Sequence, residues 1–298
     1  MNNFNTSKIN WIFFFLVLFG FFSAALPGAE EKSRYVLVSV APYKFLVEKI
    51  AGNTVKVGLM VPAGASSHTY EPTPREMIAA SHADAWFLIG EGFEKRASLA
   101  IQSHHPQIRL IDIRQGVHLI SDDAHTCHSH HHHCCSNPNC QDLHIWLSPK
   151  QTAIQVETLA AALQELYPEN KNLYEENLQK LLSQLNQLDL DIDEILTPLA
   201  NRWMMVSHPA YAYFARDYHL KQLSIEFEGK DPTPKQLTQV ISTARQNKIK
   251  TIFIQPQYNN KGARLIAKTI GAKVVNLDPY SEDYFNSMRE IANQVALQ

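Results

Sequence analysis

Cysteine is scarce and confined: Cys127, Cys134, Cys135 and Cys140 fall within 14 positions. That excludes a disulfide framework spread across the chain and leaves stability to apolar cores. No cysteine precedes Cys127, so a lipid-modified N-terminal cysteine is not expected. A dominant charge is also missing, since 27 Lys and Arg stand against 29 Asp and Glu. So even a balance argues against a nucleic-acid footprint or a polybasic membrane face. Past the first thirty or so positions, no apolar run reaches the roughly 20 residues that a spanning helix needs. What the chain does have is 45% hydrophobic residues over a length of 298, enough for two domains with separate cores. It also has 14 histidines, concentrated rather than spread.

The first 29 positions read as a targeting segment. Lys8 is the only charge before Glu30, Trp11 to Phe22 is apolar apart from Gly20, and Ser23, Ala24, Ala25 and Ala29 are small. A cationic start, an apolar stretch of about a dozen residues and a small-residue exit make the signal-peptide pattern. Residues 1–29 are therefore expected to be cleaved, with the mature chain soluble in the periplasm.

From Tyr35, short apolar strands alternate with amphipathic helices. Strands are expected at 35–40, 55–61, 85–89 and 109–113, and helices at 42–51, 74–82 and 93–102. The alternation returns in the second half, with strands at 203–207, 222–226, 251–254 and 273–277. Helices are expected there at 211–218, 234–247 (capped by Thr233), 262–270 and 282–297. Strands separated by helices of this length build parallel sheets covered on both faces. The fold class is α/β, with two lobes: 30–167 and 201–298.

Two segments break the rhythm. Residues 115–142 hold His125, His128, His130, His131, His132, His133 and all four cysteines among Ser, Asn, Asp and Pro. This low-complexity insertion reads as a mobile loop in the first lobe. Its imidazoles and thiols form a possible auxiliary metal site, or else a tolerated insertion whose cysteines pair. Residues 168–200 carry Leu178, Leu181, Leu182, Leu185, Leu188, Ile192 and Ile195 at helical spacing. Pro168 fits a helix start and Pro198 a stop. A helix of about 29 residues spans roughly 44 Å, so this one is expected to join the lobes as a rigid strut.

Metal-competent side chains follow several apolar strands. Val206-Ser207-His208-Pro209 places an imidazole there, and Leu277-Asp278-Pro279 a carboxylate. Leu59-Met60-Val61 runs into a loop that ends at His68, and His144 follows the insertion. Strand ends in a parallel sheet point to one edge, where ligands bind. Two lobes facing across a strut would bring His68 and His144 opposite His208 and Asp278. Three imidazoles and a carboxylate suit a borderline-soft dication, above all zinc, which is usually four-coordinate. Taken singly, each has a plainer reading, such as loop surface for His68 or turn initiation for Asp278.

At these residues the sequence resembles the metal-specific receptors of bacterial ABC importers, the cluster A-I (zinc/manganese) family. The motifs are His68-Thr-Tyr-Glu-Pro-Thr-Pro74, His144-Ile-Trp-Leu-Ser-Pro149, Ser207-His-Pro-Ala-Tyr-Ala-Tyr-Phe214, Glu228-Gly-Lys-Asp-Pro-Thr-Pro-Lys235 and Leu277-Asp-Pro279. They stand in family order from Tyr35 onward. The resemblance implies two α/β lobes joined by one long helix and a metal held between them by His68, His144, His208 and Asp278. It implies Zn²⁺ as transported ligand, since manganese members usually offer a carboxylate where His208 stands. It further implies a monomer that serves a membrane permease and its cytoplasmic ATPase. The chain departs from the family with Asp142 where Pro is common, and with Ser67 where some zinc members place an acid. That leaves Asp278 or water as the fourth ligand.

Three other readings compete. Manganese or iron uptake by the same kind of receptor is the nearest. A periplasmic zinc buffer or adhesin would bind metal without a transporter. A zinc hydrolase would use Glu71 or Asp278 as base and keep an open coordination position. Enzymatic activity is not expected, and Glu71 is expected to order the loop around His68 instead.

Overall fold

The structure is a computed structural model; beyond Met1 it describes residues 34–121, 141–226 and 232–298. The expected signal peptide, His125, His128, His130, His131, His132 and His133 of the insertion, all four cysteines and the Glu228–Asp231 part of one motif lie outside these residues.

The first lobe runs β1 (Tyr35–Val38), α1 (Ala41–Ala51), β2 (Lys56–Leu59), α2 (Pro74–Ala80), β3 (Ala85–Leu88), α3 (Gly92–His104) and β4 (Arg109–Asp112). The second repeats it with β5 (Trp203–Val206), α6 (Ala212–Asp217), β6 (Lys221–Ser224), α7 (Pro234–Gln246), β7 (Thr251–Ile254), α8 (Lys261–Ile270) and β8 (Lys273–Asn276), then adds α9 (Tyr284–Ala296). Each sheet is wholly parallel, with strand orders β2-β1-β3-β4 and β6-β5-β7-β8. The order reverses beside β1 and beside β5, and such a switch point opens a crevice at the strand ends.

Most expected strands extend too far at their C-terminal ends. Residues such as Ser39, Val40 and Ser207 are buried like the strands, yet the chain there turns into the loops that face the crevice. Burial without period-2 alternation hides that boundary. Helix starts were easier to read. Thr73 and Thr233 each accept the backbone N–H three residues on, with Pro at the first turn and a reciprocal Glu76 or Gln236, which is the capping box.

Between the lobes come α4 (Pro149–Leu166) and α5 (Lys171–Leu196). Pro168 opens a 3-10 turn, Pro168–Asn170, rather than the long helix. The strut therefore has 26 residues and a length of about 39 Å. Its buried stripe, Tyr174, Leu178, Leu181, Leu185, Leu188, Ile192 and Leu196, packs on α4, α1 and α9. Because α1 belongs to the first lobe and α9 to the second, one apolar cluster runs from Val36 through Leu188 to Phe214, Phe253 and Val295. A smaller cluster around Met205, Ile252 and Ile266 covers the outer face of the second sheet. No helix among the described residues is long and apolar enough to cross a membrane.

The ends of the 115–142 insertion correct the expectation of a loose loop from end to end. Ser121 and Gln141 form an antiparallel bridge, and the Asp142 N–H donates to Ile120 O at 2.9 Å. Tyr213 fastens both sides: its hydroxyl accepts the Ile120 N–H at 3.0 Å and donates to Asp142 O at 2.9 Å. The segment enters and leaves through a closed neck.

Candidate metal centre

Three loops at the strand ends converge. His68 lies between β2 and α2. His144 precedes a 3-10 turn, Ile145–Leu147, whose next residue, Ser148, caps α4 with Pro149 in the first turn. His208 leaves β5 and stacks on Tyr258 from the loop after β7, with ring centroids 4.1 Å apart and planes at 15°. A ligand nitrogen of each of His68, His144 and His208 lies within 4.8 Å of the others, the one such cluster of His, Cys, Asp or Glu among the described residues. The imidazole centroids are 5.1, 5.1 and 5.3 Å apart.

Each imidazole is held from behind by a carboxylate. His68 Nδ1 meets Glu91 Oε2 at 3.1 Å, His144 Nδ1 meets Asp142 Oδ1 at 2.8 Å, and His208 Nδ1 meets Glu226 Oε2 at 2.8 Å. A carboxylate accepts, so Nδ1 carries the proton in every case and Nε2 is left with a lone pair. Those lone pairs face inward. His68 Nε2 and His144 Nε2 are 3.3 Å apart, while His208 Nε2 is buried with no hydrogen-bond partner. Burial disfavours the His208 imidazolium and lowers its pKa to about 4, with the nearby imidazoles adding to the effect and Glu226 opposing it. At His68 burial acts the same way, but the Glu91 carboxylate outweighs it and holds the imidazole above its usual range.

This donor set fits zinc. A tetrahedral ion with Zn–N of about 2.0–2.1 Å sets nitrogens about 3.3–3.4 Å apart, the separation found between His68 and His144. Backing each imidazole with a carboxylate is the arrangement that fixes tautomer and ring orientation in zinc sites.

Asp278, expected as the fourth ligand, does not join this cluster. It is exposed, and its Oδ1 accepts Gln257 Nε2 at 2.7 Å and the Tyr280 N–H at 2.9 Å. Its carboxylate is used within its own turn. Glu71, expected near the His68 loop as an ordering residue, is also exposed and pairs with Arg96 at 2.6 Å.

Three carboxylates take those places, and none was read from the sequence as a partner. Asp142 precedes His144 by two residues and also accepts its backbone N–H at 2.8 Å. Glu91 follows β3 and Glu226 follows β6, strand-end positions of the same kind as that of His208. A buried anchor supports Glu91 in turn. The Glu94 carboxylate accepts the N–H groups of Ile89, Gly90 and Glu91 at 3.0, 2.7 and 3.0 Å, and the Ser39 hydroxyl. Burial nevertheless raises its pKa to about 7. Gly90 in that turn has φ +97°, and a Cβ there would run into the Arg114 guanidinium, so any side chain there would be strained.

Comparison with known proteins gives the chain a family. Residues 36–297 match the model of the ZnuA family, described as zinc-uptake complex component A, periplasmic. A Chlamydia trachomatis protein named for metal binding is 34% identical over 284 residues, covering 95% of this chain and 98% of its own. A crystal structure of ZnuA superposes with a TM-score of 0.82 at 37% identity, covering 89% of this chain and 98% of that one. A ZnuA deletion mutant with zinc bound gives 0.80 at 37% identity, with 89% and 97% covered.

Proposed function

The chain belongs to the zinc-uptake complex component A family, and we propose that it captures Zn²⁺ in the periplasm through His68, His144 and His208. It then delivers the ion to the membrane permease of an ABC importer driven by a cytoplasmic ATPase. The observation that carries this reading is the trio of carboxylate-backed imidazoles whose Nε2 lone pairs converge. Asp278 is engaged elsewhere, so water takes the fourth position. An all-imidazole protein set favours Zn²⁺ over Mn²⁺ or Fe²⁺, which suit oxygen-richer or carboxylate-containing sites. The zinc-bound ZnuA relative supports the same metal.

The receptor reading is preferred to a hydrolase because the two bases such an enzyme would use are engaged elsewhere, Glu71 with Arg96 and Asp278 within its own turn. Calorimetric titration of metal-stripped protein tests the proposal. One tight Zn²⁺ site is expected, with Mn²⁺ competing poorly and His208→Ala losing at least a hundredfold in affinity. Absence of tight Zn²⁺ uptake would overturn it.

A further inference from the structure

Asp278 Oδ1 takes the Tyr280 N–H at 2.9 Å and Gln257 Nε2 at 2.7 Å, closing an Asx turn directly after β8. Between them, the Pro279 carbonyl accepts Trp146 Nε1 at 2.7 Å, and the Tyr280 ring lies 5.4 Å from the Trp146 ring. So fixed, the Tyr280 hydroxyl stands 3.1 Å from Ser67 Oγ in the first lobe. Serine has one hydroxyl proton, and Ser67 gives its own to Glu91 Oε1 at 2.6 Å. Tyr280 must therefore be the donor. The other oxygen of Glu91 holds His68 Nδ1 at 3.1 Å. The result is an unbroken relay from a turn of the second lobe to an inward-facing imidazole of the first. Tyr280, Ser67 and Glu91 are only 7%, 1% and 3% exposed, and hydrogen bonds so shielded from water are stronger than surface ones.

We propose that Tyr280 is a positioning residue: it latches the His68 loop to the second lobe through Ser67 and so slows the escape of a bound Zn²⁺. His68 is the ligand such a latch would govern. Its side chain is 31% exposed against 5% for His144 and 8% for His208, and it sits in a loop, whereas the other two adjoin a helical turn and a strand. Asp278, which the sequence presents as a ligand, acts at one remove by setting the turn that aims Tyr280.

The inference rests on the receptor reading, and its test keeps the two separable. Zn²⁺ release into excess chelator is followed by stopped flow for wild type, Tyr280→Phe, Ser67→Ala and the double variant. Tyr280→Phe keeps the ring against Trp146 and should speed release about fivefold, within the range of one buried hydrogen bond. Stoichiometry should stay at one. The double variant should release no faster than Ser67→Ala, and Tyr280→Phe should change nothing in a His68→Ala background, which a general loosening of the fold would not predict. An unchanged rate in Tyr280→Phe, or singles whose effects multiply in the double, overturns the latch. If wild type takes up no Zn²⁺, the receptor reading fails. The latch is then read by amide exchange over residues 65–69 of metal-free protein, where faster exchange in Tyr280→Phe supports it and unchanged exchange overturns it.

Discussion

His68 Nε2 and His144 Nε2 lie 3.3 Å apart, and with both Nδ1 atoms committed to carboxylates, neither ring when neutral has a proton to offer the other. Two facing lone pairs repel unless a cation or a shared proton sits between them. Zn²⁺ should therefore stabilise the fold strongly, because the unfolded chain lacks the arranged site. At a free concentration a thousandfold above Kd the gain is about 4 kcal/mol. Thermal unfolding with Zn²⁺ and with excess chelator should show a clear separation of midpoints, and coincident curves would contradict it.

Acid stability of the metal-free protein should reflect two buried groups of opposite sign. His208 titrates at about 4 when folded and near 6.5 when unfolded, so the unfolded chain binds the proton first. Stability is lost as pH falls through that window, by on the order of 3 kcal/mol. Glu94 titrates at about 7 when folded and near 4.3 when unfolded, so the folded chain protonates first and gains stability as pH falls. In urea unfolding between pH 7 and 4, His208→Gln should lose less stability than wild type and Glu94→Gln more.

The carboxylates behind the ligands should matter to affinity without touching the ion. Asp142→Asn and Glu226→Gln keep the shape but weaken the hold on tautomer and ring orientation. Losses of about 10- to 100-fold in Zn²⁺ affinity are expected, with unfolding midpoints in the presence of chelator nearly unchanged. Affinity equal to wild type would show that the pairs only pack.

The shared core makes a prediction about cooperativity. Leu188 is fully buried in α5 and belongs to the cluster that joins the lobes. Leu188→Ala should cost about 2–5 kcal/mol. Fluorescence of Trp86 and Trp146 in the first lobe and of Trp203 in the second should still report one transition. By contrast, removing the exposed Lys44–Glu282 pair that joins α1 to the segment before α9 should cost less than about 1 kcal/mol.

Much of this molecule was legible in the residues. The helix from Pro234 announced itself through Thr233 and its proline, and His68, His144 and His208 stood out because each lies at the start of a motif near a strand end or turn. Asp278 lies apart from the imidazoles, which sequence does not reveal, because it reports which chemistry follows a strand and not which neighbour uses it first. Only the structure shows its oxygen taken by Gln257 and Tyr280. Glu91 and Glu226 were missed for the converse reason: a lone glutamate after a strand looks like any surface acid until a distant histidine is brought against it. Pro168 pointed to a real break, but the 3-10 turn it opens shares its φ with an α-helix, so position alone could not separate the two.

The closed neck at Ser121 and Gln141 gives the site a tolerance of its own. Cross-strand pairing and Tyr213 hold the two exits together whatever the number of residues strung between them. Lengthening such an excursion adds only slowly to the entropy of closing it, about 0.6 kcal/mol per doubling. Evolution can therefore rewrite, extend or prune residues 122–140 with little disturbance to Asp142 or His144, a few bonds away. Conservation should stop abruptly at Ser121 and resume at full strength from Gln141.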